Sequence, residues 1–235
     1  MWLFPAAAAL VAFAFAVALG RRFVARRRAH LALWCAALVL YGAASAAVAA
    51  GVASGWTRPL FEAYWILGAV LNVPLLAAGE VKLLGRGPIL DAAVWIVLAF
   101  VTAYTVALTR GAAVDPVALT GSLPSGKEVF GDGSEAHRLP QLISIPSYVV
   151  LVVGATWSAF RIRGRAELRD RFVGTLLIVL GASITAVAGS AFAAAGDATA
   201  FSLALLAGVA VMFAGFLRAT RVPAASASVP ISTGG

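Results

Sequence analysis

The stretch Leu60 to Leu84, LFEAYWILGAVLNVPLLAAGEVKLL, decides the fold. Its charged residues are Glu62, Glu80 and Lys82, all near its ends, and everything between them is apolar apart from Tyr64, Trp65 and Asn72. A helix that crosses a bilayer needs about 17–25 predominantly apolar residues, and this run meets that length. Gly55-Trp56-Thr57-Arg58-Pro59 precedes it and Gly85-Arg86-Gly87-Pro88 follows it. Glycine and proline at these points mark turns, and the charges stop insertion.

The same reading extends to both termini. Of 235 residues, 62% are apolar and 12% are charged, against about 25% charged residues in a soluble domain. Too little polar surface exists to wet a globule, so the excess faces lipid. Apolar runs at 2–19, 31–53, 60–84, 89–109, 139–160, 172–195 and 200–217 predict an all-α polytopic membrane protein with seven transmembrane helices. They form one transmembrane domain, 1–222, with a polar external loop at 110–138. The Ala/Ser/Pro/Gly-rich tail 223–235 reads as disordered.

Basic residues set the orientation, because lysine and arginine concentrate in cytoplasmic loops. Fourteen fall on one side, in 20–30, 82–88, 161–171 and at Arg218 and Arg221, and four on the other: Arg58, Arg110, Lys127 and Arg138. The amino terminus is therefore expected outside and the carboxyl terminus in the cytoplasm. Residues 1–20 have no side-chain charge before the apolar run and arginines after it, the reverse of a signal peptide, so this segment is expected to stay as a span. Trp2, Trp56 and Tyr64 are expected at the outer interface, and Trp34, Trp157 and Phe160 near the inner one. The arginine clusters would also attract anionic lipid head groups, at about 1 kcal/mol per basic residue near the surface.

An internal repeat is suggested by a shift of 139 residues. It places Arg22 on Arg161, Arg26 on Arg165, Leu38 on Leu177, Gly42 on Gly181, Val48 on Val187, Ala49 on Ala188 and Lys82 on Arg221. The spacing Gly42, Ala46, Ala50 falls on Gly181, Thr185, Gly189. Helices 1–3 would then repeat as helices 5–7, a parallel 3+1+3 arrangement with helix 4 as connector.

Several activities are excluded. The seventh apolar run has no lysine to hold retinal as a Schiff base. One cysteine, Cys35, excludes an internal disulfide and a multi-cysteine metal site. Two histidines, His30 and His137, leave little material for haem or a metal centre, and no cofactor is expected. Ser122, Ser125, Asp132, Ser134 and His137 share the outer loop, but no motif orients them as a triad. Glu62 and Glu80 lie five turns apart, about 27 Å along a helix, too far to act as an acid–base pair. No enzyme is expected. A nucleic-acid partner is excluded as well, because the net charge of +8 borders apolar runs and forms no face of a soluble fold.

The third helix holds the best candidate site. Polar side chains in lipid are costly and usually face the bundle interior. Asn72 lies mid-span, and Pro74 lacks the amide hydrogen that would pair the Val70 carbonyl. An amide beside a freed carbonyl can bind a small polar solute, or can join helices. Walls are expected from Thr102 or Thr105 on helix 4, Ser147 or Tyr148 on helix 5, and Ser183 or Thr185 on helix 6. Glu80 is the candidate proton-linked group.

Tyr64 to Leu84 and Gly208 to Leu217 (GVAVMFAGFL) resemble segments of uncharacterised seven-helix membrane proteins of high-GC bacteria, which implies topology alone. The 3+1+3 order is also similar to that of SWEET sugar transporters. Their PQ motif is not reproduced, since Pro140-Gln141 begins helix 5 and the positions 139 residues earlier are Met1-Trp2. The seven-helix input modules of bacterial histidine kinases share the orientation, but the short tail is expected to leave no room for a kinase. A multi-pass protein of the bacterial plasma membrane is expected, with a small-solute transporter or permease as the first function. The alternatives are a receptor-like or accessory subunit signalling through a separate protein, or a structural, lipid-binding protein. The sequence assigns neither a protein partner nor an oligomeric state.

The basic asymmetry generates one direct test. A reporter that is active only in the periplasm should be active when fused within 111–138 and silent when fused after Arg221; the opposite pattern inverts the topology.

Overall fold

The computed structural model describes residues 1–85 and 87–220; the tail 223–235 lies outside them, as do Arg86 and Arg221. Seven helices are long and apolar enough to cross a membrane. They are α1 Leu3–Arg26, α2 Ala29–Ser54, α3 Arg58–Leu84, α4 Pro88–Gly111, α5 Glu135–Ile162, α6 Arg169–Ala194 and α7 Ala198–Ala219. No strand occurs among the described residues. The chain is a multi-pass membrane protein.

The caps agree with the sequence breaks. α1 ends at Arg27, whose φ of 48° is left-handed. Thr57 caps α3, with Pro59 in the first turn where its missing N–H costs nothing, and Asp197 caps α7 through the amides of Thr199 and Ala200. The spans run longer than their apolar cores. α1 continues through Arg21, Arg22 and Arg26, and α5 begins at Glu135 instead of 139. Helical backbone keeps its own hydrogen bonds as it leaves the hydrocarbon, so charge ends the apolar run before it ends the helix.

Six spans form a ring in the order α1, α2, α3, α5, α6, α7, with α7 returning to α1. α4 stands outside it, against α3 and the start of α5, with most of its side chains exposed. This ring order is the one a 3+1+3 duplication would give. The close contacts do not follow it, however. A Cβ on Gly42 would meet the Phe13 ring of α1 at 2.8 Å, whereas one on Gly181 would meet the Gly208 carbonyl of α7 at 2.5 Å. The matched glycines face neighbours that the repeat does not make equivalent.

Small residues let backbones approach where hydrocarbon offers no hydrophobic drive. Gly174, Gly181, Gly208 and Gly215 form such a seam between α6 and α7. A side chain at Gly181 would meet backbone, which cannot swing aside, whereas a Cβ on Gly111 meets open space. Gly181→Leu should therefore destabilise by about 1–3 kcal/mol, the usual range for overpacking, and lower the thermal midpoint in detergent, while Gly111→Ala should leave it unchanged.

Candidate functional site

Three spans lose regular α-helical register, and all three irregular segments face the same space. They are π-helical turns at Tyr64–Leu71 in α3, Pro140–Ser144 in α5 and Ile184–Ala188 in α6. Pro74 removes the donor that would pair Val70, and the turns before it widen. Pro140 and Pro146 bracket the segment in α5. In α6 no proline is present; instead Ser183 and Thr185 turn their hydroxyls back onto the Val179 and Gly181 carbonyls, a bond that competes with the helical ladder.

These segments border a cavity of about 700 Å³. α2, α3, α5, α6 and α7 line it; α1 and α4 contribute nothing. Along every lining span it stops at a similar level, at Leu38, Leu76, Leu151, Ala182 and Met212. Beyond that level, toward the arginine-rich side, Trp34 Nε1 donates to the Leu76 carbonyl at 3.1 Å and Phe15 stacks on Phe213 at 5.0 Å. Toward the loop it reaches Ser125, Gly126, Lys127 and His137. The cavity is thus sealed at the arginine side and extends to the loop side.

The loop itself is structured. The sequence offered little apolar patterning in 110–138, yet Leu123, Val129 and Phe130 are buried. Ser125 and Glu128 form a reciprocal cap on the one-turn helix Gly126–Phe130, and the Ser125 bonds hold the Glu128 carboxyl below the usual carboxylate range. Phe130 packs on Phe61 and Trp65 of α3. Trp56 and Tyr64, expected as interfacial aromatics, are buried in this cluster, because the folded loop covers the ring where lipid head groups were expected. Buried Glu62 holds Arg58 at 2.7 Å and Arg110 at 3.2 Å, joining α3 to α4 at this end.

Asn72, Tyr148 and Thr185 all line the cavity. Asn72 is 6% exposed, and its amide has no hydrogen-bond partner among the described residues. Tyr148 donates its hydroxyl to Ser183 Oγ at 2.7 Å, which places Ser183 directly behind the wall. Pro74 is buried beside the cavity without lining it, and the carbonyl it frees has found a partner: Ser144 Oγ lies 3.1 Å from Val70 O and 2.8 Å from Ala69 O.

The remaining candidates lie elsewhere. Ser147 bonds back to Ile143 in its own helix. Thr102 bonds back to Leu98 on the exposed face of α4. Thr105 is fully buried away from the cavity, its hydroxyl unpaired among the described residues. Both threonines fall outside because α4 stands outside the ring. Glu80 is buried on the sealed side, against Gly154 of α5, and Lys82 pairs with Asp91 instead of with Glu80.

Sequence reasoning missed Tyr41, Ser45, Gln141, Ser144 and Ser190. Tyr41 donates to the Leu205 carbonyl at 2.7 Å, tying α2 to α7. Ser144, two residues before Pro146, carried the same freed-carbonyl signal as Asn72 and Pro74. Comparison with protein-family models, curated proteins and solved structures returns no match for this chain.

Removing the Ser144 hydroxyl leaves the Val70 carbonyl unpaired in a water-poor interior. Ser144→Ala should cost about 1–2 kcal/mol, read as a lowered thermal midpoint. Ser147→Ala, which breaks only a bond within its own helix, should cost less.

Proposed function

We propose that this chain is a transporter or permease of the bacterial plasma membrane that takes a small solute from the loop side. The observation that carries the reading is the cavity ringed by five spans, with the buried amide of Asn72 in its wall. Binding sites in transporters sit near mid-membrane where helices are interrupted, since only there is irregular backbone tolerated beside a solute. Here three interruptions meet at one cavity. Asn72 can both donate and accept, and Tyr148 and Thr185 add hydroxyls, so the wall suits a neutral, hydrogen-bonding solute. The role is binding and movement, not chemistry. In this reading the loop side faces outward and the arginine clusters meet anionic lipid head groups.

A receptor-like subunit is the second reading, favoured by the seal of Trp34, Leu76, Phe15 and Phe213 beneath the cavity. Solute flux into vesicles separates the two: a transporter moves its ligand, and a receptor only binds it.

A panel of water-soluble solutes should contain one that raises thermal stability, by about 2.7 kcal/mol at a hundred times its dissociation constant. Asn72→Leu should abolish that stabilisation while the protein stays folded and inserted. A leucine variant that is stabilised normally overturns the site.

A further inference from the structure

The wall of the cavity is incomplete on one side. α5 and α6 pack together in their arginine-side halves, where Tyr148 bonds Ser183. Above that bond the two helices part: residues 184–194 of α6 pack along α7, with no comparable contact to α5. Residues on both edges of this gap line the cavity and are strongly exposed. Val187 is 62% exposed and Ile145 57%, and Gln141, Ser190 and Ala194 are exposed as well. Both segments belong to spans, so the flank on which they open is bathed by lipid, not by water.

We infer that the cavity opens sideways between α5 and α6 into the loop-side leaflet and takes the hydrocarbon chain of an amphiphile from that leaflet. This rests on the reading of the cavity as a binding site and gives it a second class of ligand. The floor, formed by Leu38, Leu76, Leu151, Val209 and Met212, is apolar and suits a chain. Polar groups gather at the other end, where Lys127, His137 and Gln141 meet the head-group level of the loop side. From Phe201 to Met212 the lined length of α7 is about 16 Å at 1.5 Å per residue, so a chain can lie along it while its head remains at the loop. The amphiphile enters tail first from the leaflet and never crosses water. Its polar head passes beside Gln141 and Ser190, and the Tyr148–Ser183 bond marks the lower end of the opening.

The test uses palmitate bearing a diazirine near its methyl end, in phosphatidylethanolamine and phosphatidylglycerol vesicles containing the full chain. Irradiation should label peptides holding Val209 and Met212 above those holding Val153 and Trp157, which are exposed to lipid elsewhere. The opening is then blocked after folding, by attaching a bulky apolar maleimide to Ser190→Cys in a Cys35→Ala background. Cavity labelling should be lost and labelling at Val153 and Trp157 retained. Equal labelling of cavity and outer flank, cavity labelling that survives the block, or a thiol at position 190 that does not react, each overturns the lateral opening. If the blocked protein is still stabilised by a water-soluble solute in an Asn72-dependent way, the solute site stands and only the lipid route fails. If neither palmitate nor solute engages the cavity, both readings fall.

Discussion

In hydrocarbon a carbonyl without a donor costs several kcal/mol, because no water can replace the missing bond. Pro74 creates such a carbonyl at Val70, deep within α3, and the surrounding structure follows from its repair. α3 widens through Tyr64–Leu71, and Ser144 of α5 is drawn against Ala69 and Val70. That bond fixes the α3–α5 junction. A widened turn also spreads side chains that a regular helix would stack, and Asn72, Gly68 and Ala69 come to border open space. The cavity is thus a by-product of keeping the backbone paired.

Two kinds of helix contact share the ring. On the α6–α7 seam, glycines bring backbone against backbone, and only a displacement of whole helices could change the fit. Around the cavity, contact is made by hydroxyl-to-carbonyl bonds such as Tyr41 to Leu205 and by Tyr148 to Ser183. Each of these is a single directional bond worth about 1 kcal/mol in a membrane, weak enough to break and re-form as helices shift. The sealed end and the glycine seam supply rigidity, and the hydroxyl-lined end supplies adjustability.

Much of the fold was legible because the bilayer reduces it to length and hydropathy. Gly55, Trp56 and Thr57 fall between α2 and α3, and Arg163 and Arg165 fall between α5 and α6, with Pro59, Pro88, Arg161, Arg169 and Arg171 in the flanking helical turns. Which helices touch was not legible, since every apolar face suits lipid as well as it suits a neighbour, and small residues decide the contact. Thr102 and Thr105 were therefore assigned to a wall that α4 does not reach. Asn72, Tyr148 and Thr185 were legible as polar groups at mid-span, where polarity needs a reason. The loop is legible only in part for a different cause: Leu123, Val129 and Phe130 are too few to make a periodic pattern, and Phe130 buries against Phe61 and Trp65 of α3.

α4 has little lateral contact with the rest of the bundle, yet it is held to α3 at both ends. Arg110 meets Glu62 at one end, and Asp91 meets Lys82 at the other. Two ionic anchors on opposite faces of the membrane fix the height of a helix and its rotation about its own axis, while leaving its flank free to slide against lipid. Through these anchors the connector is attached to α3, on the amino-terminal side of the chain. Its lipid-facing flank makes little contact with the bundle, and the pair of charges at its ends carries its attachment to α3.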